Sequence, residues 1–224
     1  MQKFETIYQR AAKRKGGADA LEALLPKPKT PAQLERVPDD RYLAEMTKCV
    51  FRSGFVWQVI EHKWPGFEAA FDGFDVTGCA MLSDEDLERL AVDSRIVRNV
   101  AKIASVRANA QFVRELKDSH GGCGAYLAAW PVDDVIGLWG ELKRRGNRLG
   151  GATGAFFLRF VGKDTFMLSA DVVKALEQQR IVDKPPTSRK ALAAVQDAFN
   201  RWRAESGRSL AEISRTLACS VGEP

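Results

Sequence analysis

The segment that decides the fold reads Leu142-Lys-Arg-Arg-Gly146-Asn-Arg-Leu-Gly150-Gly-Ala-Thr153-Gly154, a basic helix end that runs into a glycine-rich turn and opens a second helix. Glycine has no Cβ, so the turn can take positive φ and bring its backbone close to a ligand. The N–H groups that begin the second helix form an anion site, beside which Arg148 and the preceding cations can hold a phosphate. A helix C-cap at Gly146 with close packing at Gly150 and Gly151 explains the same residues equally well. The segment lacks Walker spacing, which argues against nucleotide triphosphate binding.

Most of the remaining chain carries apolar residues at helical spacing. Pro26 to Pro31 is proline-rich and predicts a linker. No segment sustains the period-two alternation of a half-buried strand, so the predicted fold class is all-α. Helices are expected over 4–25 and over 39–74, the second with breaks at Gly54 and Pro65-Gly66. Capping boxes predict two further helix starts, one at Ser83 with Asp86, whose helix ends at a turn near Asp93, and one at Ser209 with Glu212. The remaining helices are expected from that turn to Gly121 and over 132–145, 152–161, 169–180 and 188–205.

Composition narrows the class of protein without choosing a function. The 224 residues are 45% hydrophobic and carry a formal net charge of +5, with a pI of about 9.1. Two basic clusters, at 10–15 and 143–148, resemble solvated helix faces as much as a nucleic-acid surface. The four cysteines have no paired spacing, and no signal peptide or long apolar run is present. We therefore expect a cytoplasmic, soluble chain with reduced thiols, no metal site and no membrane partner.

Three groups of residues together resemble the DNA-3-methyladenine glycosylase I family. The segment from about 42 to 176 carries them in the family's order. Gly54-Phe-Val-Trp57 resembles the family's G-L-S-W loop, and Leu142 to Gly146 with Gly150, Thr153, Phe157 and Gly162 resembles its hairpin and following helix. The family's D-x-E-x-L block and its continuation are matched by Asp86-Leu-Glu-Arg-Leu90, Asp93, Ile96-Val-Arg98, Lys102-Ile103 and Asn109-Ala110.

This resemblance implies a helix-hairpin-helix bundle that grips duplex DNA, flips a damaged purine into a pocket and cuts its N-glycosidic bond. Aromatic side chains can bind a cationic methylated base by stacking and cation–π attraction. An apolar side chain can fill the gap that the flipped base leaves in the stack. Without the resemblance, Trp57 and Phe55 read equally well as core aromatics. The implied base pocket consists of Trp57, Cys49, Arg52 and Phe156, the wedge of Gly54 and Phe55, and the phosphate site of Arg148, Gly150, Gly151 and Thr153.

The sequence departs from the family at two places. The family's pocket glutamate, five residues before the loop glycine, falls at Cys49, which we interpret as a buried small residue rather than a nucleophile. Neither Phe51 nor Arg52 can accept a hydrogen bond from an adenine amino group. The family's zinc ligands have no counterpart, since the first 25 residues hold neither Cys nor His. We expect no cofactor, and Trp202, Leu210, Ile213 and Leu217 are expected to fasten the termini by apolar packing instead.

A candidate acid lies beyond the hairpin. Asp171 falls where the wider superfamily places a catalytic aspartate, and its charge would stabilise an oxocarbenium-like transition state. Ser169 or Asp171 could instead only cap the next helix. No Schiff-base lysine is expected, because Lys143 and Lys163 are interpreted as facing solvent or phosphate.

The resulting hypothesis is a monofunctional glycosylase for N3-methylated purines. Its partner would be duplex DNA with alkylated bases, bound by a monomer associated with the nucleoid. A catalytically silent helix-hairpin-helix protein that binds or senses damage, and a helical enzyme without a nucleic-acid role, are the alternatives. The expected segments are an N-terminal helix and linker (1–31), a glycosylase-like domain (32–180) and a helical extension on the same domain (181–224).

Overall fold

The computed structural model describes residues 1–221, and within that range the chain forms helices joined by loops and contains no strand. The all-α prediction is therefore confirmed. The elements are α1 (Phe4–Lys15), α2 (Ala18–Glu22), α3 (Pro31–Glu35), α4 (Asp39–Arg52), α5 (Trp57–Ala70), a 3-10 turn η1 (Asp72–Phe74), α6 (Val76–Ala80), α7 (Asp84–Val92), α8 (Val100–His120), α9 (Cys123–Ala129), α10 (Val135–Arg145), α11 (Ala152–Val161), α12 (Ala170–Gln178), α13 (Arg189–Ser206) and α14 (Leu210–Ser220).

The chain folds as two compact units, each discontinuous in sequence. The central unit comprises Lys29–Trp130 and Trp139–Lys163, and the terminal unit comprises Met1–Pro28, Pro131–Leu138 and the described chain from Asp164 onward. The sequence predicts a division of the chain into three consecutive segments, 1–31, 32–180 and 181–224, and that division stays a prediction. The last three residues of the expected extension lie outside the described range.

Local capping chemistry sets many of the helix ends, as the sequence predicts. The hydroxyl of Ser83 accepts from the N–H of Asp86 while the Asp86 carboxylate accepts from the N–H of Ser83, and Ser209 with Glu212 repeats this arrangement. Gly121 ends α8 in the left-handed conformation. Each such cap contributes about 1 kcal/mol.

One predicted helix break is absent from the structure, and one break was not predicted. Helix α5 continues through Pro65 although proline removes one helical hydrogen bond. A Cβ at Gly66 would lie 2.4 Å from the carbonyl oxygen of Arg95, so this glycine serves close packing rather than helix termination. The expected helix over 4–25 is interrupted at Gly16, where φ is +90°.

The central unit is organised around α8, the longest helix of the described chain. It packs against α4, α6, α7 and α9. Ile103 and Val106 of α8 share one core with Phe51 and Phe67, and burial of each such side chain contributes about 1.5–3 kcal/mol. Helix α8 therefore provides a rigid support for the loops that contact it.

The terminal unit joins the two ends of the chain. Helix α14 packs against α1, α12 and α13, and Leu210, Ile213 and Leu217 are buried. Trp202 is also buried, and its Nε1–H donates to the carbonyl oxygen of Gln2 at 3.1 Å. This packing is the apolar fastening that the sequence predicts. None of the described helices combines the length and apolar character that a membrane span requires.

Candidate functional site

A cleft of about 230 Å³ opens in the central unit between the α4–α5 loop and the start of α11. A cavity of about 150 Å³ holds a benzene ring, so this volume has room for a bicyclic base. The cleft gathers the residues of the predicted pocket and wedge together with Thr153 of the predicted phosphate site. Its lining consists of Cys49, Arg52, Ser53, Gly54, Phe55, Trp57, Ala152, Thr153, Phe156 and Phe160.

Three aromatic rings form one wall of the cleft. Trp57 meets Phe156 and Phe160 edge to face, with ring centroids 5.4 Å and 5.9 Å apart, and the two phenylalanines stack on each other at 5.8 Å. Trp57 is 42% exposed, so it is not a core aromatic. Phe156 and Phe160 lie one helical turn apart on α11, which places both rings on the same face. The wall offers flat apolar surface to a planar ligand.

The loop of the predicted wedge, Ser53 to Val56, which we call the wedge loop, follows α4 and presents its aromatic side chain to solvent. Gly54 has φ +75°, which favours glycine, and Phe55 is 40% exposed. The amine of Lys102 on α8 donates to the carbonyl oxygens of Phe51 at 3.2 Å and Ser53 at 2.5 Å. Its nitrogen also lies 4.5 Å from the centroid of the Phe55 ring, a cation–π distance. Lys102 thus holds the loop and its exposed ring from beneath.

Arg52 lies against the aromatic wall. Its guanidinium carbon is 4.9 Å from the ring centroids of both Trp57 and Phe160. Glu61 accepts from Nε at 3.1 Å and pairs with Nη2, and Glu45 lies 3.5 Å from Nη1. Two carboxylates therefore fix the orientation of this cation.

The two carboxylates differ in their environments. Burial raises the pKa of Glu45, and the neighbouring Arg52 only partly opposes this effect. Burial also acts on Glu61, but hydrogen bonds from Lys48 and Arg52 hold the pKa of that carboxyl below its ordinary value. Glu61 is consequently the firmer anionic partner of Arg52.

Cys49, which the resemblance aligns with the family's pocket glutamate, is buried at the edge of the cleft. Its thiol lies 3.5 Å from Oε1 of Glu45, to which it donates. Burial, together with the charge of Glu45, raises the pKa of the Cys49 thiol well above its ordinary value. This environment disfavours the thiolate that a nucleophile requires.

The hairpin turn, residues 146–151, is held by a fully buried side chain of α8. Oδ1 of Asn109 accepts from the backbone N–H of Asn147 at 2.7 Å, and its Nδ2 donates to the carbonyl oxygen of the same residue at 3.1 Å. A Cβ at Gly146 would lie 2.6 Å from Leu149 Cδ1, and one at Gly154 would lie 2.3 Å from the Leu149 carbonyl oxygen. Close packing therefore explains Gly146 and Gly154, whereas the sequence places it at Gly150 and Gly151. A Cβ at Gly150 would meet only the Lys143 side chain, at 3.1 Å from its Cγ, and one at Gly151 would meet nothing within 4 Å.

The remaining glycines shape the start of α11. Gly151 has φ +60° and precedes the helix without any side-chain cap, and Gly151 and Ala152 are exposed. Thr153 lies in the first turn, half-buried. The first N–H groups of α11 consequently face outward, which is the arrangement that binds a phosphate.

The basic cluster before the turn is partly neutralised. Arg144 pairs with Glu141, and Arg145 pairs with both Glu141 and Glu115. Arg148 is exposed with φ +62°, and its Nε donates to the carbonyl oxygen of Ala101 at 3.3 Å. Within residues 1–221, Arg148 makes no ion pair, so its charge remains directed to solvent.

Two further predictions concern residues outside this cleft. Asp171 belongs to the terminal unit, where it is exposed in the first turn of α12, and Ser169 is the residue that caps that helix. The catalytic role of Asp171 stays a prediction. The expectation for Lys163 was wrong: this residue is 7% exposed, and its amine donates to the carbonyl oxygens of Leu127 and Trp130, because those carbonyls lie at a helix end that needs donors.

Sequence reasoning missed three residues that build the site. Phe160 completes the aromatic wall, and its spacing of four from Phe156 was the available signal. Lys102 and Asn109 match the family block, but their sequence positions do not reveal which loops they hold. Among residues 1–221, no group of three or more His, Cys, Asp or Glu side chains is arranged to bind a metal ion.

A family model described as methyladenine glycosylase matches residues 35–137. This part of the chain is therefore similar in sequence to the methyladenine glycosylase family, as the sequence motifs predict. The matched range includes the wedge loop and all of α8, and it ends before the hairpin turn. No curated protein matches the chain.

Solved structures of DNA glycosylases share the helical fold of this chain. The 3-methyladenine DNA glycosylase I from Staphylococcus aureus is 22% identical with a TM-score of 0.50, over 58% of this chain and 82% of that chain. The Methanocaldococcus jannaschii 8-oxoguanine glycosylase/lyase, in complex with 15mer DNA containing 8-oxoguanine, is 14% identical with a TM-score of 0.51, over 95% of each chain. The predicted family and fold are thus confirmed.

Proposed function

We propose that this chain is a DNA glycosylase that flips an N3-methylated purine out of duplex DNA and hydrolyses its N-glycosidic bond. One observation carries the proposal: a single cleft brings together an exposed wedge ring, an aromatic wall and the first turn of α11. Phe55 would fill the gap in the base stack, and Trp57 would stack on the extruded base. The first N–H groups of α11 and Arg148 would hold the phosphate of the same strand.

The chemistry requires little from the protein. Methylation at N3 makes the purine cationic, so the base leaves readily once the glycosidic bond begins to stretch. Charge then develops on the sugar as an oxocarbenium ion, which a nearby carboxylate can stabilise. The sequence offers Asp171 as the candidate for this role, and that role stays a prediction. Lys163 donates to two carbonyl oxygens, which favours a monofunctional enzyme over a lyase. We expect a monomer that acts on cytoplasmic DNA.

A second candidate function is damage binding without catalysis. The described residues that line the cleft include no carboxylate, because Cys49 stands where the family has a glutamate. Such a protein would extrude or sense a weakened base and leave the glycosidic bond intact.

Chromatography of the bases released from methylated duplex DNA tests the proposal. The wild-type protein should release N3-methylated purines, and Trp57→Ala should reduce the rate by roughly five- to 150-fold through loss of about 1–3 kcal/mol of stacking. Trp57→Phe keeps an aromatic face and is the matched control. Tight binding to an abasic-site mimic without any base release would favour the silent alternative. DNA affinity that does not fall as salt rises would exclude both functions.

A further inference from the structure

Arg52 is the one charged side chain among the described residues that line the cleft. Its guanidinium faces the rings of Trp57 and Phe160, so it borders the volume that a flipped base would enter. The thiol of Cys49 is turned to Glu45 and carries a raised pKa. Arg52 therefore gives the cleft a charged hydrogen-bond donor without an anionic acceptor among the described lining residues, and the other polar side chains of the lining are the hydroxyls of Ser53 and Thr153, which can donate or accept.

The carboxylates around Arg52 leave part of the guanidinium available. Glu61 engages Nε and Nη2, and Glu45 lies near Nη1, whereas a guanidinium has more N–H donors than these contacts use. Lys48 also pairs with Glu61 at 2.7 Å. The pair of carboxylates offsets the positive charge of Arg52, so a cationic base meets donors of fixed direction without a strong opposing charge.

We infer that the cleft prefers N3-methylguanine to N3-methyladenine, with Arg52 as the residue that determines this specificity. The inference rests on the proposed function and names the substrate class of the same site. Guanine presents O6 and N7 as acceptors, the edge that arginine binds with two hydrogen bonds. Adenine presents an amino group at the same edge, where a donor would face the donors of Arg52 and no carboxylate of the lining would accept from it.

The test measures initial rates of release of both bases from the same methylated duplex DNA. Relative to their abundance in that DNA, wild-type protein should release N3-methylguanine faster than N3-methyladenine. Arg52→Met keeps an apolar stem and removes the donors, so the ratio should fall by roughly tenfold. Cys49→Glu places an acceptor at the family's position and should raise release of N3-methyladenine. Arg89→Met, at an exposed ion pair with Asp86 outside the cleft, is the matched control and should leave the ratio unchanged.

A second measurement guards against a variant that fails to fold. Arg52→Lys keeps a charge for Glu61 but loses the planar pair of donors, so it should also lower the ratio while preserving the unfolding midpoint. Calorimetric binding of the free bases to wild-type protein should show the same preference. A wild-type preference for N3-methyladenine that Arg52→Met leaves unchanged would overturn the inference and leave the glycosylase intact. Absence of any base release would overturn the proposed function, and the free-base binding ratio would still decide the inference.

Discussion

The hairpin turn and the wedge loop are both held by side chains of α8, yet by different kinds of bond. Asn109 is fully buried and exchanges two neutral hydrogen bonds with the backbone of Asn147. Lys102 uses a cation to hold the carbonyl oxygen of Ser53 and the ring of Phe55. The two side chains are seven residues apart, about two turns, and therefore lie on the same side of the helix.

The difference corresponds to what each loop would do on DNA. A loop that grips phosphate must keep its N–H groups in place, and buried neutral bonds with close glycine packing provide that rigidity. A loop that enters the base stack must be supported but not locked, and Phe55 is accordingly exposed above a single cation. The comparison leads us to expect large effects on stability at the hairpin and effects on binding at the wedge.

The largest expected effect is at Gly154, where rigidity of the hairpin depends on close approach. Gly154→Ala would force a Cβ against the Leu149 carbonyl oxygen, and we expect the free energy of unfolding to fall by about 3 kcal/mol. Gly140→Ala is the matched control, because a Cβ there meets nothing within 4 Å in an exposed part of α10. That control should raise the free energy of unfolding by about 0.5–1 kcal/mol. Urea unfolding measures both, and equal effects would refute the packing argument.

Asn109→Ala should have the next largest effect. The substitution removes both partners of the Asn147 backbone, and we expect a loss of about 2 kcal/mol in unfolding free energy. Affinity for duplex DNA should fall with it, because the turn before α11 loses its support. Asn200→Ala removes two hydrogen bonds in the terminal unit, one to the Asp133 carbonyl oxygen and one from Nε2 of Gln196, and serves as the control. A variant that keeps full DNA affinity would show that the hairpin turn holds its shape without α8.

Much of this fold could be predicted because its signals are local. Ser83 and Asp86 cap a helix through residues three apart, and Gly121 ends one through its own φ angle. The loops of the site depend instead on partners that are distant in sequence: Lys102 reaches Ser53 across 49 residues, and Asn109 reaches Asn147 across 38. No spacing rule encodes such pairs, because they arise only when α8 packs against its neighbours.

Of these substitutions, Lys102→Met should change the free energy of unfolding least, and it should mainly weaken the binding of DNA. The variant loses two hydrogen bonds to carbonyl oxygens but also loses the penalty of burying a cation, so the free energy of unfolding should change by no more than about 1 kcal/mol. Affinity for DNA with an abasic-site mimic should still fall by roughly tenfold, because Phe55 loses its cation and its loop loses an anchor. Lys63→Met removes a comparable bond to the Ser94 carbonyl oxygen on the exposed surface and should leave that affinity unchanged.

The pH dependence of the unfolding free energy tests whether the amine of Lys102 is buried as a cation. Burial, reinforced by the nearby charge of Arg148, lowers the pKa of Lys102 below its ordinary value of 10.5. Between that lowered pKa and 10.5 the unfolded chain binds more protons at this residue than the folded chain, so the contribution of Lys102 to stability rises with pH. The unfolding free energy of the wild-type protein should therefore increase relative to Lys102→Met as pH rises through this window. A difference that stays constant would mean that the amine is solvated, and the wedge loop would then rest on packing rather than on a buried cation.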